Sequence, residues 1–254
     1  MRRCRTPTTT PTTHTSTDAG ALVRVERRGA RSVVSRLHSE APLGLRLLAE
    51  AGTRARVAIV NTAAMLVGGD ALSLEVEVGP GAACELFEIS ATTAHPTRGE
   101  HRIDQRLRVS VGDGGFLSLR EQPLILAAAT TLRRTTVIEL TGEAQVAHRE
   151  MLVLGRHDEP PGAACVRVRT ERDGVALYDD TVDTRELAVA GSPAVFGSAR
   201  VLGMLSLWGI PTAIAGDGVF ELGPRDHVMR ILGTAAREIA ELLDAAQRVG
   251  EARR

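Results

Sequence analysis

ALSLEVEVGPGA, residues 71–82, decides the fold. Leu72, Leu74, Val76 and Val78 alternate with Ser73, Glu75 and Glu77. Successive side chains of an extended chain point to opposite sides, so this period of two predicts a strand with one buried face. Gly79-Pro80-Gly81 ends it, because these residues favour turn dihedrals and proline has no N–H to give to a ladder.

Outward from this segment the phrase recurs. RLRVSV (106–111) runs into Gly112-Asp113-Gly114-Gly115, and TTVIEL (135–140) into Thr141-Gly142-Glu143. VRVRTE (166–171) runs into Arg172-Asp173-Gly174. The turns begin near 79, 112, 141 and 172, a spacing of roughly 30 residues. A repeat of strand, tight turn and strand fits stacked β units that bury their faces against neighbours, as in a solenoid or layered sheet. It fits an antiparallel meander as well, where hairpins also recur.

The ends differ from the middle. Residues 1–18 are Thr/Pro-rich and almost free of large apolar groups, which predicts a disordered tail before a single domain over 19–254. The part from about 192 to 250 reads as helical. Gly223-Pro224 is a good helix opening, and Val228, Ile231, Leu232, Ala235, Ile239, Leu242 and Leu243 then follow at i, i+3, i+4 spacing. The expected class is therefore mainly β, a β-helical or two-layer stacked-strand architecture with C-terminal α-helices.

Composition narrows the function. The 254 residues carry 31 basic and 31 acidic side chains, so the formal charge is zero. That balance and an aromatic content of 2% argue against a nucleic-acid partner. All the basic residues are arginine and Asn61 is the one asparagine, which reads as codon usage. No window is apolar enough to span a membrane. Cys4, Cys84 and Cys165 are odd in number and far apart; a disulfide framework is not expected, and a reducing cytoplasm is.

No catalytic constellation stands out. Gly68-Gly69-Asp70 by itself reads as a turn into the next strand. His148 and Glu150 are two apart, so on a strand they face one side. The remaining histidines offer no converging metal set, and a resident cofactor is not expected. Arg133-Arg134 reads as a solvated strand face, a protein interface or an anion contact. Trp208, within Met204–Trp208, reads either as core or as part of a docking patch.

Four phrases in order resemble the urease accessory protein family UreD, also called UreH. Asn61 to Asp70 resembles N-x-x-G-G-L-V-G-G-D, with Gly68 and Gly69 on its second glycine pair and Ala64-Met65 on its first. Gln122-Pro123 through Arg133-Arg134 resembles Q-P-x-I-L-F-x-x-A-x-L-R-R, and Glu150 through Gly155-Arg156 resembles E-x-L-x-L-G-R. Arg172-Asp173-Gly174 matches a charged hairpin that follows them in the family. The resemblance covers roughly residues 20–240.

It implies a non-enzymatic scaffold that binds apo-urease and the UreF and UreG partners and helps deliver nickel, held only transiently, through an internal channel. A conduit needs several weak sites rather than one tight cage. Asp70 and Glu150, from the motifs, and Glu88, from its position, are the expected nickel-route residues. A structural β-repeat protein and a β-solenoid carbohydrate enzyme, which needs a paired-carboxylate groove, are the alternatives.

Overall fold

The computed structural model describes residues 18–48, 53–63, 65–97, 101–185, 192, 195–211, 214 and 216–251. The expected tail lies outside these residues up to position 17, and Asp18 already pairs with Ala71. Cys4 and Ala64 also lie outside them.

The chain opens with β1 (Asp18–Arg28), β2 (Arg31–Ser39), β3 (Leu43–Leu47) and β4 (Ala55–Asn61). It then coils. β5 (Met65–Leu66), β6 (Ala71–Val78) and β7 (Ala83–Glu88) are followed by β8 (Thr92–Ala94), β9 (Ile103–Val111) and β10 (Phe116–Arg120). β11 (Leu124–Leu126), β12 (Thr131–Leu140), β13 (Gln145–Leu154) and β14 (Ala163–Arg172) complete the coil.

Each turn of the coil lays one strand in the first of two sheets, and a longer strand followed by a short one in the second. β6, β9, β12 and β14 pair in parallel in the first sheet. β4, β7, β10 and β13 pair in parallel in the second. β5, β8 and β11 pair in parallel within the same second sheet, where β11 also pairs with Leu152–Leu154 of β13. The partners Ala71, Asp104, Arg133 and Cys165 follow one another at 33, 29 and 32 residues. The 30-residue spacing is thus a solenoid rung rather than a meander step. The last of the four turns is different: Arg172-Asp173-Gly174 closes an antiparallel hairpin from β14 to β15 (Val175–Asp183).

Beyond the coil, β16 (Val201–Trp208), β17 (Val219–Gly223) and β18 (Asp226–Gly233) extend the second sheet, and α1 (Ala236–Glu251) packs on its outside. The helical expectation for this part is corrected in two places. Met204–Trp208 is fully buried strand, and Val228, Ile231 and Leu232 lie on β18. Val228 joins the inter-sheet core while Met229 and Ile231 face α1, so the strand buries both sides and mimics helical spacing. Pro224-Arg225 is the hairpin loop between β17 and β18, not a helix start. Among the described residues, α1 is the C-terminal helix that remains.

The core lies mainly between the sheets and is aliphatic, from Val23, Val57 and Val76 to Leu117, Val146 and Trp208. A second layer, with Ala147, Met151, Leu205 and Leu207 against Ile239 and Leu243, fills the space under α1. β13 is therefore covered on both faces, with inter-sheet core on one side and α1 on the other. Cys84 is a buried free thiol whose pKa burial pushes up to about 12, a small apolar filler.

Candidate functional site

The rungs bring carboxylates into line. In the second sheet Ile59 pairs with Glu88, Phe87 with Arg120, and Arg120 with Arg149. One residue further along, the same register sets Glu88 beside Glu121 and Glu121 beside Glu150. The Glu121 N–H donates to the Arg149 carbonyl at 3.0 Å, and the Gln122 N–H to Glu88 Oε2 at 2.7 Å. Neighbouring strands lie about 4.8 Å apart, so three carboxylates form a row across the rungs. Arg120 and Arg149 alternate to the outer face: Arg120 lies over the Phe87 ring, and Arg149 pairs with Asp244 of α1.

The row faces a gap between the sheets. A cavity of about 60 Å³ is lined by Glu88 and Glu121 on one wall and by Gln105 and Arg134, in register on β9 and β12, on the other. It has room for a few water molecules. A separate, smaller void of about 10 Å³ is lined by Glu150 and Asp180 and shares no lining residue with the cavity. The cavity does share Leu74, Arg106 and Leu107 with a surface groove of about 590 Å³. The paired strands β6 and β9 of the first sheet separate the cavity from that groove.

Glu121, His148 and Glu150 are all at least nine-tenths buried, and their donor atoms lie within 4.8 Å of one another. His148 Nε2 is 3.0 Å from Glu121 Oε1. Arg134 bonds the other Glu121 oxygen, and its Nε is 3.8 Å from Glu150 Oε2. Burial lowers the His148 pKa to about 4, which keeps the imidazole neutral near pH 7 and able to act as a ligand. Burial also raises the Glu88 pKa, against the pull of the Arg134 guanidinium. Two carboxylates and a neutral imidazole are a donor set that borderline divalent ions accept.

The sequence expectations fall as follows. Glu88 and Glu150 belong to one row, with Glu121 between them. Asp70 is elsewhere: its Oδ2 accepts the Val67 N–H at 2.9 Å, its own N–H donates to the Val67 carbonyl at 3.1 Å, and it does not line the cavity. That turn links β5 to β6. Gly69 has φ +96°, and a side chain at Gly68 would meet the His101 carbonyl and Thr97 at 3.2 Å.

Asn61 donates to Thr92 Oγ1 at 2.7 Å and lines the cavity, while the Pro123 carbonyl accepts the Thr92 N–H at 3.0 Å. Gly155 has φ +83°, and Arg156 forks onto Glu159 at 2.5 and 2.8 Å, which closes the turn after β13. Arg133 is exposed as expected. Arg134 is not: it alternates inward, and its side chain is 11% exposed. Glu121 was missed, although its distances of 33 and 29 residues from Glu88 and Glu150 are in phase with the rung spacing.

A family model described as UreD urease accessory protein matches residues 18–253. Urease accessory protein UreD 1 of Streptomyces griseus is 35% identical over 193 residues, covering 76% of this chain and 75% of its own. Urease accessory protein UreD of Streptomyces avermitilis is 36% identical over 186 residues, covering 72% and 73%. That of Streptomyces coelicolor is 31% identical over 231 residues, covering 89% and 90%. With the family model spanning nearly the whole solenoid and relatives above 30% identity over most of their length, the chain belongs to the UreD family of urease accessory proteins.

Proposed function

We propose that this chain is a non-catalytic scaffold of urease maturation. It binds apo-urease together with the UreF and UreG partners in the cytoplasm and passes nickel along its inter-sheet gap toward the urease active site. Nickel is cargo here, held briefly and released.

The observation that carries this reading is the in-register row Glu88–Glu121–Glu150 beside the cavity. A conduit must bind an ion well enough to admit it and weakly enough to release it. Carboxylates one strand spacing apart offer successive similar sites, so an ion leaving one is already within reach of the next. Asp70 accepts the Val67 N–H in the turn between β5 and β6, which supports a role in holding that turn.

The test is reconstitution in cells that carry the urease structural genes and the other accessory genes, with and without this gene. Urease activity and nickel content are scored together. Both are expected only when the gene is present, and both are expected to fall in Glu121→Gln and Glu150→Gln at equal protein level. Equal loading without the gene would overturn the reading.

A further inference from the structure

The inner row already contains a cation. Arg134 reaches from the first sheet into the row, bonds Glu121 and lies beside Glu150. We propose that the Arg134 guanidinium is a gate: it occupies the divalent-cation position formed by Glu121, His148 and Glu150, and it must swing aside before an ion can bind there. This rests on reading the row as a cation path.

Three observations support it. First, the donor atoms of Glu121, His148 and Glu150 lie within 4.8 Å of one another, and the Arg134 guanidinium bonds one of the two carboxylates and lies beside the other. Second, Glu150 Oε2 is buried without a hydrogen-bond partner, because Arg134 Nε at 3.8 Å is too far for one. A buried carboxylate oxygen left in this way is costly, and a coordinated ion would satisfy it.

Third, the guanidinium has somewhere to go. Asn61 Oδ1 and Gln105 Oε1 are buried acceptors without hydrogen-bond partners, and both residues line the cavity that Arg134 also lines. Gln105 is the direct register neighbour of Arg134. A planar fork with five N–H donors fits such acceptors and can exchange one set for the other. Arg134 thus has two places to rest, one in the cation position and one in the cavity.

The experiment measures Co²⁺ binding to the purified full chain by equilibrium dialysis and visible absorption, without urease. Arg134→Gln removes the charge and keeps a similar length. It is expected to bind one Co²⁺ about tenfold or more tightly than the unaltered chain, and Arg134→Gln with Glu150→Gln is expected to lose that gain. A folded Arg134→Gln protein with unchanged affinity overturns the proposal.

Removing a buried counter-charge can also prevent folding. Arg134→Lys then decides: it keeps the charge but lacks the planar guanidinium, and a smaller gain is expected. Unchanged affinity in a folded Arg134→Lys protein overturns the proposal as well. If instead urease loads without this gene, the maturation reading fails while the Co²⁺ result still decides on Arg134.

Discussion

The backbone N–H of Gln122 donates to the carboxylate of Glu88 at 2.7 Å, so a side chain of one rung is tied to the main chain of the next. Glu88→Ala leaves that N–H without its acceptor and is expected to cost about 1–3 kcal/mol. Glu88→Gln keeps an acceptor oxygen and is expected to cost less. Urea denaturation of the two variants compares them, and equal costs would mean that the bond contributes nothing.

Asp70 gives a second expectation. Asp70→Ala removes the acceptor for the Val67 N–H and should lower stability by about 1 kcal/mol, while Asp70→Asn keeps it. Nickel delivered per folded molecule should be unchanged in both. An Asp70→Ala protein that is fully stable yet fails to load urease would return Asp70 to the nickel route.

His148 predicts a pH dependence. Its folded pKa is about 4, against 6.5 for an ordinary histidine, so between these values the unfolded chain binds the proton and the folded chain does not. Stability is then retained above about pH 6.5 and falls as the pH drops toward 4, by on the order of 3 kcal/mol. The difference between the urea midpoints of the unaltered chain and His148→Gln, followed from pH 7 to 4, should shrink with that sign. A flat difference would show that His148 does not titrate in this way.

Gly203 sets the contact between β16 and the helix. A Cβ there would lie 2.4 Å from Ile239 Cγ2 and 2.9 Å from Leu243 Cδ1. Gly203→Ala must push α1 away from the sheet, at an expected cost of about 1–3 kcal/mol. A lowered melting temperature, with earlier proteolysis after Arg237 or Arg248, would report it. An unchanged melting temperature would mean that the helix shifts freely.

Much of the fold was legible where one face of a strand meets solvent. Leu72 to Val78 alternates cleanly, and the glycine turns mark each rung. Legibility failed where both faces are covered. β18 buries Val228 on one side and Met229 with Ile231 on the other, so its apolar pattern is not a period of two.

The site was half legible for a related reason. Glu88 and Glu150 stood out one at a time, but that they are neighbours follows only from parallel register, which no local pattern carries. Arg134 was read with Arg133 as surface, although adjacent strand residues face opposite ways, and one of the two had to point inward.

The row of carboxylates inherits its length from the backbone. Each acid is placed by main-chain pairing between rungs, so its position repeats with the strand spacing of about 4.8 Å whatever the side chains do. The row is therefore quantised: it can grow or shrink only by whole coils, one acid at a time, and a coil added or lost would leave every other acid in phase. The solenoid is in this sense a ruler, graduated in rungs of about thirty residues.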